Sequence, residues 1–467
     1  INIIILLSLG LLFLPSIFIP RFDIPVYDIF IGLTLLCLFI CTNSIKRLFN
    51  FIKYRFFRIL IYYILWIIFT GFILIIIGKF TFINYLYGVF LVLLYNNFSW
   101  YIYSALVFPK FFSVKFLIRA LMIGVYFICL YGLIEYIFHN IFHSNILEPI
   151  LKILNNRRYF IIDNFEPITT RIYSVFEEPG YLGCFICINL PIIYKLICSR
   201  YKILRNKISN FLLKKTYIPI LILTIFAVQS PIWFLCFIII TVLCFYKNII
   251  KSRFRIGLTF LSIVITGFLS ILYFHNNNIS EIFLNRIIET TRCLNNYTAL
   301  TKLEPSLASR IFGYNARIQL FLKYPIAGVG YKNTENNILE YVLTSKLPHT
   351  EEIDRGIQKV VLRKGNFIKV SGAIFWNSLS DTGLIGTLLL YLFMILSVKK
   401  LSFIIKKINK GLTRNFIEGV RYSYIIIIVI SIYDIRLNFI YIWFLFGLTL
   451  SFIQYYNLYY KKLSNKL

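Results

Sequence analysis

Apolar runs of about 20 residues recur along almost the whole chain, and they constrain the fold more than any other feature. A bilayer core about 30 Å thick takes about 20 apolar residues of helix. Lipid tolerates no spanning backbone other than helices and closed barrels. Counted between charged or Pro-rich breaks, the runs are residues 1–20, 24–44, 59–78, 81–107, 114–136, 180–198, 216–229, 231–246, 256–274, 374–397, 418–433 and 437–456. Gln229, Ser230 and Pro231 interrupt the segment 216–246, which reads as two short helices joined by a tight turn. The expected fold is an all-α polytopic membrane protein with about 12 transmembrane helices. Composition agrees: 59% of the 467 residues are apolar and 15% are charged, against about 45–50% and about 25% in soluble domains. Disorder, collagen-like repeats and a disulfide scaffold are excluded by the same composition.

A net charge of +30 would point to nucleic acid in a soluble protein, but in a membrane protein its meaning depends on which side the charges occupy. Alternate loops hold the basic clusters: Lys46 to Arg58, Lys110 to Arg119, Arg200 to Lys215, Lys247 to Arg255, Lys399 to Arg414 and Lys461 to Lys466, with no Asp or Glu among them. The positive-inside rule places these short loops, and both termini, in the cytoplasm. Nucleic acid is therefore not an expected partner; the lipid bilayer is. The chain then divides into helices over 1–136, a first outer loop over 137–180, helices over 181–274, a large outer loop over 275–372 and helices over 373–467. Binding or catalytic work is expected in the two long outer loops. The first 20 residues lack a basic n-region and a small-residue cleavage motif, so they read as a span rather than a signal peptide.

Metal and disulfide chemistry have little to build on. The nine Cys lie almost entirely in spans, and Cys293 alone falls in the large outer loop, so no disulfide framework is implied. Cys184 and Cys187 share one face of a span, where small packing residues are expected. His139, His143, His275 and His349 are scattered without zinc-ligand spacing. No cofactor and no metal are expected.

Three segments carry candidate chemistry. The first outer loop ends in Arg171-Ile-Tyr-Ser-Val-Phe-Glu177-Glu178-Pro179-Gly180, which sets an arginine and two adjacent carboxylates at the membrane boundary. That pattern fits a solvated turn with a surface ion pair, or charges held at lipid depth because they are used. In the second loop, Ser306 to Pro325 reads as an amphipathic helix with a Ser cap and a Pro terminator. Arg310 and Arg317 are almost two full turns apart on it, so their guanidinium groups share one stripe about 10 Å apart. Such a stripe suits a diphosphate, because the planar fork of arginine binds phosphate oxygens bidentately; it also suits an interfacial helix facing lipid headgroups. Gly328-Val-Gly330, just beyond, reads as a turn. Last, Phe375-Trp376-Asn377-Ser-Leu379-Ser-Asp381-Thr-Gly383-Leu-Ile-Gly386 opens a span, with Asp381 either capping a helix or facing a cavity.

These segments, in this order, resemble the superfamily of bacterial O-antigen polymerases and ligases, the Wzy and WaaL proteins. The likeness runs from about Arg171 to Gly386: an Arg-rich stretch with a Pro-Gly turn before a span, a helix with paired Arg followed by Pro-x-x-Gly-x-Gly, and Asn-x-x-Leu leading to Gly-Leu-Ile-Gly. Arg317 to Gly328 also fits the polymerase spacing of an Arg, ten residues and a Gly; the first loop does not. Ligases carry a His before the Asn of the last motif, where this chain has Trp376. The resemblance is therefore closest to the Wzy-type polymerases, with the ligase reading weakened and His349 left as a spatial substitute.

The resemblance implies a metal-independent glycosyltransferase of the bacterial inner membrane. Its substrate would be an oligosaccharide linked to undecaprenyl diphosphate, transferred on the periplasmic side to a hydroxyl of the next lipid-linked repeat unit, with a chain-length regulator protein as a further expected partner. Lipid diphosphate is already a good leaving group, so the reaction chiefly needs fixed cations where charge develops. Arg171, Arg310 and Arg317, with Tyr314 beside them, are the expected diphosphate and glycan contacts. A desolvated carboxylate would serve as the base: Glu178 or Glu177 first, then Asp381 and His349. The reading from a different class is a lipid-glycan flippase or transporter, which needs internal repeats.

Overall fold

The computed structural model describes residues 55–93, 114–138, 179–197, 207–228, 297–303, 305–331, 333–345, 348–350, 353–354, 373–409, 411–432 and 440–464, together with Phe18–Ile19, Ile24–Pro25, Phe142, Ser174, Phe237 and Ile240. Within these residues the protein is almost wholly helical. A two-rung antiparallel ladder, β1 (Phe18–Ile19) with β2 (Ile24–Pro25), pairs Phe18 with Pro25 and Ile19 with Ile24. It lies where the first two expected spans meet, so the chain reverses there.

The helices are α1 (Arg55–Ile76), α2 (Phe82–Leu93), α3 (Val114–Tyr136), α4 (Pro179–Ile197), α5 (Lys207–Ala227), α6 (Tyr297–Leu303), α7 (Pro305–Lys323), α8 (Thr334–Thr344), α9 (Ile374–Lys407), α10 (Leu412–Ile430) and α11 (Ile440–Ser464). Four of them contain stretches long and apolar enough to cross a membrane: Phe57–Ile76, Val114–Tyr136, Gly180–Ile197 and Ile374–Lys407. All four coincide with expected spans. The expected spans 418–433 and 437–456 fall largely on α10 and α11, and 81–107 begins in the shorter α2. The expected span 256–274, most of 231–246 and most of 1–44 lie outside the described residues.

Several boundaries differ from the sequence reading: Arg55 and Arg58 lie inside α1, Arg414 inside α10 and Lys461 and Lys462 inside α11, all of them expected in loops. Lys214 and Lys215, expected in a loop, lie inside α5, and Lys399, Lys400, Lys406 and Lys407 lie inside α9. Lysine keeps its ammonium in water while its methylene stem lies along an apolar helix, and cations near a helix C-terminus are favoured by the macrodipole. A helix can therefore run on past the apolar stretch. The 34 residues of α9 would measure about 51 Å if straight, well beyond a bilayer core.

The bundle has a helix at its centre. α4 is buried on all sides from Leu182 to Tyr194 and packs against α10, α5 and α3. Cys184 and Cys187 are buried in it and form no disulfide. By contrast α1 is two-faced. Phe57, Leu60, Tyr63, Ile64 and Ile67 are buried, while Tyr62, Leu65, Phe69, Phe72 and Ile76 form an exposed stripe. A helix apolar on both faces, with one face outside the core, is suited to lipid rather than water.

Polar side chains around the middle of α4 are hydrogen-bonded. Asn189 Nδ2 donates to Phe185 O at 2.9 Å, its Oδ1 accepts from the Tyr441 hydroxyl, and Ser423 Oγ donates to Ile188 O at 2.6 Å. These bonds cluster around Pro191, which cannot donate within α4. Small residues let α10 come this close: a Cβ on Gly419 would stand 2.5 Å from Ile192 Cα, the close backbone approach that small residues allow between membrane helices. Gly419→Ala should therefore cost about 1–3 kcal/mol through overpacking, read as a lower thermal unfolding midpoint in detergent. An unchanged midpoint would mean that α10 and α4 are not in backbone contact.

Candidate functional site

The first part of the site is built by a break in α9. Gly383 has φ 66° and ψ −167° within an otherwise continuous helix, a conformation that is essentially glycine's alone. A break leaves carbonyls of the preceding turn without their helical donors, and buried carbonyls must find others. Here the loop Pro325 to Gly330 supplies them. Val329 N donates to Ser380 O at 2.8 Å and Gly330 N to Asp381 O at 2.9 Å, while Leu384 N turns outward to Pro325 O at 2.8 Å. Trp66 Nε1 of α1 donates to Thr382 O at 2.9 Å, and Thr387 Oγ1 to Gly383 O at 2.8 Å. Every carbonyl from Ser380 to Gly383 thus has a donor.

Glycine is also required on the loop side. Gly328 has φ 71° and Gly330 φ 97°, and a Cβ on Gly328 would lie 2.5 Å from Asp381 C. The Pro-x-x-Gly-x-Gly segment is therefore a docking turn. Its tight φ values let backbone lie directly against backbone.

Two charged side chains sit beside this junction. Arg317, on the face of α7 that packs against α9, is 3% exposed. Its Nε donates to Asn377 Oδ1 at 2.5 Å and its Nη1 to Gly313 O at 2.9 Å. Tyr314, one turn earlier, stacks on Trp376 with ring centres 5.8 Å apart and planes inclined by 27°. Asp381 is 8% exposed and accepts the Thr334 hydroxyl on Oδ1. Ser380 Oγ lies 2.9 Å from that same hydroxyl. Asn377 and Asp381 are four residues apart on α9, so the partner of Arg317 and the carboxylate occupy one face about 6 Å apart along the axis. Both charges are buried, which is costly unless each is held by hydrogen bonds. Tyr331, at the end of the docking turn, is buried too; burial and the nearby Asp381 carboxylate push its phenol well above its usual range, so it stays a neutral hydroxyl.

The remaining expected site residues are placed as follows. Arg310 is half-buried on α7 and carries interactions of its own. His349 has other partners: Nε2 lies 3.1 Å from Val342 O, Nδ1 3.2 Å from Asp354 Oδ1, and the ring meets Phe312 edge-on at 5.5 Å. A carbonyl only accepts, so Nε2 is protonated. Arg171, Glu177 and Glu178 lie outside the described residues. Between them, Ser174 is buried with φ 54°, its N–H donating to Glu135 Oε2 at 2.6 Å and its Oγ to Ile128 O at 2.9 Å. The first loop is therefore anchored to α3 at that point.

Two of the expected features change. Asp381 is not a cap, since Ala373 is the N-cap of α9. α7 begins at Pro305 rather than after a Ser306 cap, because proline at the first helical position loses no hydrogen bond. Sequence reasoning also missed Asn377, Thr334, Glu135 and Trp66. Asn377 stood in the quoted motif, but a hydroxyl such as Thr334 has no signal outside three dimensions.

Compared with known families and curated proteins, the chain matches no family model and no curated sequence.

Gly383→Ala should cost about 1–3 kcal/mol in backbone strain alone, with its Cβ 2.2 Å from Ile326 O. The docking turn should then detach, and trypsin should cut after Lys323 faster than in the native protein. Cleavage at the native rate would show that docking does not depend on the break.

Proposed function

We propose that this chain is a membrane glycosyltransferase of the polymerase type, moving a growing glycan from a polyprenyl diphosphate to a hydroxyl of the next lipid-linked repeat unit. The observation that carries this reading is a buried arginine and a buried carboxylate, Arg317 and Asp381, set one helical turn apart through Asn377 on α9. Arg317 supplies fixed positive charge for the diphosphate that leaves, preorganised by its bonds to Asn377 and Gly313. Asp381 takes the proton of the attacking hydroxyl as the new glycosidic bond forms and the anomeric carbon–phosphate oxygen bond breaks. The stacked pair Tyr314 and Trp376 offers aromatic surface for a sugar. An apolar groove of about 650 Å³, lined by Tyr62, Leu65, Phe69, Phe72 and Tyr85 among others, includes Trp66, which is bonded to Thr382 next to Asp381. It is suited to the polyprenyl tail.

In this reading about twelve spans place the large loop on the periplasmic side of a bacterial inner membrane, and Arg310, Arg171, Glu177 and Glu178 complete the site from the two loops. A second reading has an observation in its favour. Broken helices near charged groups are typical of transporters, and α9 is broken at Gly383, so a lipid-glycan flippase is the alternative.

Substitution at constant protein level tests the proposal. Arg317→Ala and Arg310→Ala should leave the protein inserted and reduce surface polysaccharide to a single repeat unit. Glu178→Gln should do the same if Glu178 rather than Asp381 is the base. Wild-type chain lengths in both arginine variants would remove the anion-binding role, and loss of all exported glycan would favour the flippase.

A further inference from the structure

Two lysines meet at the end of α1, outside the site described above. Ile77-Gly78-Lys79 closes that helix with a Schellman turn: Gly78, at φ 74°, donates to Ile75 O at 2.9 Å, and Lys79 N to Leu74 O at 2.9 Å. The turn brings Lys79 to the docking turn. Asn333 Nδ2 donates to Lys79 O at 3.2 Å, and a Cβ on Gly330 would stand 2.8 Å from the Phe80 ring. The exposed Lys79 ammonium donates to the Tyr324 hydroxyl at 3.3 Å and lies 4.7 Å from the centre of that ring. Lys323 Nζ, also exposed and from the last turn of α7, lies 5.8 Å from the same ring centre. Like charges repel, and among the described residues Lys79 forms no ion pair, so the gathered pair suits an anion.

The surroundings favour an anion carried by a lipid. Ile76, Ile77, Phe82 and Ile83 beside Lys79, and Leu322 and Ile326 beside Lys323, are between 59% and 78% exposed. Large apolar side chains interleaved with lysines suit a bilayer boundary, where acyl chains meet the former and headgroup phosphates the latter. The apolar groove starts close by. Phe72, which lines it, is seven residues before Lys79, about 10 Å along the axis of α1. Tyr85, which lines it too, meets Phe80 edge-on at 6.1 Å. A lipid lying in the groove would have its charged end near the lysines. Arg317 is six residues before Lys323, about 9 Å along α7, so the pair is a separate place.

We propose that Lys79 and Lys323, gathered by Tyr324, form a second anion site beside the groove and hold the diphosphate of a polyprenyl carrier. The identity of that lipid rests on the function inferred above. The reaction brings two lipid diphosphates together and only one of them leaves, so one must be held without reacting. Exposed ammonium groups on flexible stems suit holding, whereas the buried, bonded fork of Arg317 suits the charge that develops.

The test uses the full-length chain in phosphatidylcholine nanodiscs, titrated with undecaprenyl diphosphate and with undecaprenol, which lacks the phosphates. Tryptophan fluorescence reads occupancy, because Trp66 lines the groove. The double variant Lys79→Gln with Lys323→Gln should bind the diphosphate about tenfold or more weakly and undecaprenol as well as the native chain does, while Lys79→Arg with Lys323→Arg should stay near native. Native affinity for the diphosphate in the glutamine variant overturns the inference, as does an equal loss of affinity for undecaprenol. Displacement of the diphosphate by phosphatidylglycerol at similar concentration also overturns it, since the pair would then be a general bilayer contact. In proteoliposomes with lipid-linked repeat units, the glutamine variant should show a raised KM at an unchanged kcat; a fall in kcat overturns the holding role. A native chain that binds undecaprenyl diphosphate through the lysines yet lengthens no glycan defeats the polymerase reading and leaves the headgroup site standing.

Discussion

The site depends on the way one interrupted helix satisfies its backbone. In a low-dielectric interior an unpaired carbonyl costs several kcal/mol, and the break at Gly383 would leave several. The docking turn and Trp66 take them up. Because those donors come from the turn Pro325 to Gly330 and from α1, the same bonds that heal α9 also fix that turn, α1 and α9 in one arrangement. Asp381, Thr334 and Arg317 inherit their positions from it. The geometry of the candidate site is thus a consequence of backbone pairing, and the side chains are set in a frame already fixed by it.

The charges add a second constraint. Arg317 and Asp381 are each hydrogen-bonded to neutral partners, Asn377 with Gly313 and Thr334 respectively. Burying such charges costs stability unless hydrogen bonds hold them.

Much of this was legible in the sequence, and the exceptions have physical reasons. The apolar runs located the four helices that can cross a membrane, because length and hydropathy are local properties. The spacing of Arg310 and Arg317 located α7, since helical periodicity is local too. Which of the two arginines is buried was not legible, because that depends on α9 lying against α7 at Asn377. Asp381 read either as a cap or as facing a cavity because it stands near the start of a span; its burial follows from a break that Gly383 alone did not announce, since an isolated glycine in a helical pattern is usually tolerated without one. Thr334 is a common residue made notable only by what it faces. The basic loops were drawn too long, as at Lys214 and Lys406, because lysine is compatible with both a loop and a helix end.

The most direct test is a reconstitution of the purified chain alone, in sealed proteoliposomes containing EDTA, with undecaprenyl-diphosphate-linked repeat units presented on one leaflet. Lengthening of the glycan with stoichiometric release of undecaprenyl diphosphate is the predicted result. Movement of intact lipid-linked units to the opposite leaflet without any lengthening would contradict the account and identify a transporter.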